Sequence, residues 1–110
     1  MEKLVKYWKE EEGYSVIYNG NAFCAYILND KEFYIGHAYV EDRTKGQSYA
    51  FFEYMQLVAK ELGATYMTGN LDLNEYNKDN YTNKVIIHIR HGYKIVNVTD
   101  QRITVLKELY

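Results

Sequence analysis

A chain of 110 residues with 13 Lys and Arg against 15 Asp and Glu has the size of one domain and a net charge of -2. With a pI near 5.9 there is no general basic footprint, which counts against nucleic acid as the main partner. Cys24 is the only cysteine, so an intrachain disulfide is excluded and a reducing compartment is expected.

The longest apolar run, Ala22–Leu28, is far too short to span a membrane, and the opening MEKLVKYWKEEE lacks the apolar centre of a secretory signal. A cytoplasmic protein with no membrane association is the expectation. The 13 tyrosines and the absence of proline have two readings. They fit an AT-rich coding sequence, or some of the tyrosines form a binding surface, since Tyr offers contact area at low entropy cost.

In chain order, residues 2–12 read as a short helix with Leu4, Val5 and Trp8 on one side, ended by Gly13. Three β-rich runs follow: YSVIYN, AFCAYIL and EFYIGHAYV. The polar turns Gly20-Asn21 and Asn29-Asp30 separate them, which predicts an antiparallel meander. The period then becomes helical, with Phe51, Phe52, Met55, Val58, Ala59 and Leu62 recurring three and four apart. Ser48 is the expected N-cap and Gly63 the terminator.

Next, ATYMTGNLDL reads as a strand and NEYNKDNYTNK as an Asn-rich polar loop. A second helix is expected over Tyr81–His91, with Val85, Ile86 and Ile89 toward the core and Gly92 as its stop. YKIVNV and RITVLKEL complete the chain around a turn near Asp100. The order α-β-β-β-α-β-α-β-β predicts a single α/β (α+β) domain. Its sheet is mixed and mostly antiparallel, with helices packed on its faces. The helix between the third and fourth strands is a crossover, so those two strands run parallel if they are neighbours.

Arg43-Thr44-Lys45-Gly46-Gln47-Ser48 stands at the mouth of the first long helix. Backbone N–H groups there lack intrahelical partners, and the helix dipole is positive. Glycine lets a phosphate approach the backbone closely, and Arg43 and Lys45 add charge, so a pyrophosphate-bearing ligand is the natural candidate.

This loop resembles that of the GNAT superfamily of acyl-CoA-dependent N-acyltransferases. The family pattern is Arg or Gln, two variable residues, Gly, one variable residue, then Gly or Ala; here Ser48 takes the last place. The neighbouring elements are also similar: a strand ending at Val40, a helix, a strand, a second helix, and His91-Gly92-Tyr93 where the family has Gly-Phe. The resemblance covers about Tyr14 to Leu109. It implies acetyl-CoA as co-substrate, with its pyrophosphate on Arg43, Thr44, Lys45, Gly46, Gln47 and Ser48. The backbone of Ala38, Tyr39 and Val40 would lie against the acyl-pantetheine arm, in a cleft where the third and fourth strands splay. Family members usually carry more structure before the meander. The short start here leaves three expectations: one helix does that work, a second subunit completes the acceptor site in a homodimer, or the acceptor site is absent.

Acyl transfer needs an amine that loses a proton and a thiolate that gains one. The resemblance places the general acid at His88, four residues before Gly92, with Tyr81 as substitute. The base is expected on the third strand, where Glu32 stands at the start and Tyr34 nearer the expected site. Period-two alternation puts Glu32, Tyr34, Gly36 and Ala38 on one face and His37 on the other. His37, His88 and His91 lack a matched third metal ligand, so no metal is expected. Cys24 reads as a small buried residue, and Asn74, Asn77, Asn80 and Asn83 as a solvated connector. The expected activity is transfer of an acetyl group to a primary amine of a small molecule or protein. The alternative is a degenerate GNAT-like binding module acting through protein–protein contact.

Overall fold

The computed structural model describes residues 2–10, 12–19, 22–40, 47–72 and 85–110. Helix α1 is Glu2–Glu10, followed by strands β1 (Ser15–Tyr18), β2 (Ala22–Asn29) and β3 (Glu32–Val40). Helix α2 is Gln47–Glu61 and β4 is Tyr66–Asp72. A third helix, α3, occupies residues 85–90, ahead of β5 (Lys94–Val98) and β6 (Arg102–Glu108). The six strands form one sheet in the order β1-β2-β3-β4-β6-β5. β3 and β4 are parallel and every other neighbouring pair is antiparallel, as the crossover by α2 requires.

Local chemistry sets the element ends. Asp30 takes φ 56° in the tight turn between β2 and β3, a conformation that Asp tolerates better than most residues. α2 ends at Gly63, where φ is 88°. The Gly63 N–H donates to Lys60 O and the Ala64 N–H to Ala59 O, both at 3.0 Å, so the last carbonyls are satisfied. α3 closes in the same way, the Tyr93 N–H donating to His88 O at 3.0 Å. α2 begins one residue before its expected N-cap, so the Ser48 backbone lies inside the first turn.

One sheet face carries the core. Phe33 and Ile35 of β3, Cys24 of β2, Met67 and Leu71 of β4 and Val105 of β6 pack against Phe51, Met55 and Ala59 of α2. Tyr26 and Phe33 stack across β2 and β3 with centroids 4.5 Å apart. Burying side chains of this size stabilises the fold by about 1.5–3 kcal/mol each. Phe23 and Ala25 point to the opposite face, under α1, where Trp8 stacks on His37 at 5.1 Å. α1 is held by its edge, because Leu4 stays exposed while Val5 and Trp8 are half-buried.

The expected face assignment of β3 is corrected by a bulge. Tyr26 opposes Ile35 and Ala25 opposes His37, leaving Gly36 as an extra residue. The alternation therefore reverses there: Glu32, Tyr34, His37 and Tyr39 share the outer face, and Phe33, Ile35, Ala38 and Val40 the core face. A Cβ at Gly36 would collide with the Tyr14 ring, which explains why the bulge residue is glycine.

α3 needs a second correction. Val85 packs on the core, but Ile86 and Ile89 are exposed. The face turned inward is Val85, His88 and His91, because the two imidazoles meet the aromatic rings of α2.

Candidate functional site

β3 and β4 pair only from Glu32↔Tyr66 to Ile35↔Gly69. Beyond that point β3 stays with β2 as far as Val40↔Ala22, and β4 stays with β6 as far as Asp72↔Arg102. The two parallel strands thus separate at Gly36 and Asn70, at the bulge itself, and open a fork toward their carboxyl ends. Ligands of open α/β sheets bind where adjacent strands part in this way. Among the described residues, the edge of β3 from Gly36 to Val40 that faces β4 has no ladder partner. Its backbone N–H and C=O groups are available to a bound extended chain.

The fork contains the expected arm-binding residues. Ala38 is half-buried on the core face, Tyr39 is exposed on the outer face, and Val40 is buried. Arg43, Thr44, Lys45 and Gly46 lie outside the described residues, as do Tyr81 and Asn74, Asn77, Asn80 and Asn83. Gln47 and Ser48 open α2, so their backbone N–H groups belong to the unpaired first turn.

The two proposed proton-transfer residues sit on different faces. Glu32 is on the outer face and accepts a hydrogen bond from Thr68 Oγ1 at 2.6 Å. His88 is half-buried on the core side, edge-on to Phe52 and Tyr93 with centroids 5.1 Å away in each case. The sheet separates them, so any shared role passes through the fork rather than through direct contact.

Sequence reasoning missed a polar row on the outer face at the fork apex. Thr104 Oγ1 donates to Asn70 Oδ1 at 2.7 Å, and Asn70 Nδ2 donates to Tyr34 Oη at 3.3 Å. Asn70 and Thr104 were invisible beforehand because their meeting depends on the β4–β6 register, in which they face each other.

Behind the fork, His91 stacks on Phe52 at 4.6 Å and lies 4.2 Å from the Tyr49 ring in the first turn of α2. It is 5% exposed, and its Nε2 has no hydrogen-bond partner among the described residues. Burial lowers the His91 pKa; Glu53 opposes this and Lys107 reinforces it. Lys107 Nζ also donates to the His91 carbonyl and, at 2.6 Å, to Gln56 Oε1, which ties β6 to α2 and to the end of α3. Tyr93 is buried, its hydroxyl 3.7 Å from Met67 Sδ, and burial pushes its pKa well up. Burial likewise raises Cys24, which fits a small core residue and not a nucleophile. The histidines do not converge, since His37 stacks on Trp8 across the sheet from His88 and His91. Among the described residues no group of His, Cys, Asp and Glu is placed to hold a metal, and no helix is long and apolar enough to cross a membrane.

No protein-family model matches the sequence, and no curated protein is detectably similar to it. Solved structures are similar in fold. The ribosomal-protein-S18-alanine N-acetyltransferase of Escherichia coli aligns with a TM-score of 0.69 at 14% identity, over 99% of this chain and 77% of that one. A Desulfovibrio desulfuricans protein assigned to the acetyltransferases of the GNAT family aligns at 0.74 and 10% identity, over 99% and 78%. The PaiA N-acetyltransferase of Thermoplasma acidophilum, solved with coenzyme A, aligns at 0.71 and 9% identity, over 97% and 70%. With the forked mixed sheet and its crossover helix, these likenesses establish that the chain has the GNAT acetyltransferase fold.

Proposed function

We propose that the protein is an acyl-CoA-dependent N-acyltransferase that moves an acetyl group from acetyl-CoA to a primary amine. The single observation that carries this reading is the fork at Gly36 and Asn70, which leaves one edge of β3 unpaired among the described residues. The pantetheine arm would add to that edge along Ala38, Tyr39 and Val40, as a strand adds to a sheet. Arg43, Thr44, Lys45 and Gly46 would hold the pyrophosphate, together with the first-turn N–H groups of Gln47 and Ser48. The three structures named above are acetyltransferases, and that from Thermoplasma acidophilum was solved with coenzyme A, which supports the same donor.

The acceptor would approach over the outer face. α1 covers only the β1–β2 side and His37 there, and the row of Glu32, Tyr34 and Asn70 lies beyond it. Glu32 would take the amine proton through a water molecule, consistent with its polar, half-buried place beside Thr68.

Calorimetric titration with acetyl-CoA, in parallel on wild type and Gly46→Glu, tests the reading. Binding by the wild type and its loss in the variant are expected, because a carboxylate at Gly46 would repel the pyrophosphate. A wild type that does not bind acetyl-CoA would favour a GNAT-like binding module instead.

A further inference from the structure

We propose that the open edge at β5 is the interface of a two-fold dimer, in which β5 of a second copy adds antiparallel and joins two six-stranded sheets into one. The proposal does not depend on the acyltransferase reading, because β6 and β4 stand between β5 and the open edge of β3.

The sheet ends on β1 and on β5, and the two ends are finished differently. β1 has four residues, one of them the buried Ile17, and α1 packs beside it. All five residues of β5 are exposed, and Ile95, Val96 and Val98 are open to 44%, 53% and 60%. Lys94 is the only charged residue among the five. Natural edge strands are blunted by charge, by proline or by a covering element, and a long apolar edge left open is a template for another strand. A bulge can also blunt an edge, but the one in β5 makes Val96 the residue without an opposite, which adds apolar surface.

This surface continues the core face. Ile95 opposes Val105 and Val98 opposes Ile103 on β6. Val105 is fully buried and Ile103 packs on the core, so the apolar rows run outward from the core and stop at solvent. α3, which leads into β5 through Gly92, also leaves Ile86 and Ile89 exposed, while its His88 and His91 meet Phe52 of α2. In a continuous antiparallel sheet both copies turn the same face to the same side. Ile95, Val98 and the open flank of α3 are therefore brought beside their counterparts, as a two-fold interface requires.

Charge selects a second copy as the occupant, since the strand is complementary to itself. With the two-fold axis at Asn97, antiparallel pairing sets Val96 opposite Val98 of the second copy and Lys94 opposite Asp100 of the second copy. The symmetry makes each contact twice. Apolar residues then meet in the middle and opposite charges at the ends, whereas an in-register parallel pairing would set Lys94 beside Lys94.

Sedimentation velocity of the full chain, up to about 100 μM, tests the proposal. The wild type is expected to reach twice the 13.1 kDa mass of the chain. Val98→Lys, at an exposed position, should sediment as a monomer with an unchanged circular-dichroism melt. Lys94→Asp should raise the dimer dissociation constant by roughly tenfold, and adding Asp100→Lys to it should return the constant to within about twofold of wild type. That recovery reads the antiparallel register directly, because a loss of folding would not be rescued by a second charge reversal. A wild type that stays at 13.1 kDa throughout overturns the proposal. So does a dimer indifferent to all three variants, which would lie on another surface, or an assembly that grows past the dimer with concentration.

Discussion

His91 shows how much chemistry one side chain can carry in this fold. Its imidazole is enclosed by Phe52 and Tyr49 and is held below the ordinary histidine value mainly by burial. As pH falls below about 6.5, the unfolded chain takes up this proton before the folded one does. Stability is therefore full above that value and is lost as pH drops toward the depressed folded pKa. In thermal melts between about pH 7.5 and 5.5, His91→Leu should lose less melting temperature than wild type does. Equal losses would show that other groups govern the acid limb. Gly36 makes a steric prediction of the same size. The Tyr14 ring it faces is itself packed edge-on to Trp8 at 5.3 Å and has little room to yield. Gly36→Ala should cost about 1–3 kcal/mol in urea unfolding, and a neutral substitution would mean that the bulge rearranges freely.

Among the elements, α2 and β3 matter most to the proposed function, since one offers the helix mouth for the pyrophosphate and the other an edge unpaired among the described residues. α2 is anchored by Phe51, Met55 and Ala59 and stopped at Gly63. Gly63→Ala should destabilise the protein by about 1 kcal/mol, because alanine at a positive φ is strained. Phe33→Ala, which empties a fully buried site stacked on Tyr26, should cost about 3–5 kcal/mol in the same assay.

The strands, the crossover and α2 were legible in the sequence because their hydrophobic periods are strong and their turns carry Gly, Asn and Asp. The face order along β3 was not, since one extra residue at Gly36 inverts the alternation and leaves no mark on composition. The inward face of α3 was misread for a related reason. Periodicity ranks Ile86 and Ile89 above histidine, yet the rings of Phe52 and Tyr93 favour stacking with His88 and His91. Tyr34 could be noticed in the sequence, but its partner Asn70 emerged only from the pairing of β4 with both β3 and β6.

At the scale of the whole molecule, the described sheet has two faces and a fork between β3 and β4. The core face fixes α2 and α3 behind the fork, and the outer face presents Glu32, Tyr34 and Asn70 beside it. The proposed function would divide its work along this geometry, with the donor at the edge of β3 and the mouth of α2 and the acceptor on the outer face. The most direct test is amide chemical-shift mapping of the isotopically labelled protein during titration with acetyl-CoA. The account predicts that the large shifts fall on Gly36–Val40 and on the first turn of α2, with β5 unmoved. Saturating acetyl-CoA with no shifts in those two segments, or with shifts confined to β5 and β6, would contradict it.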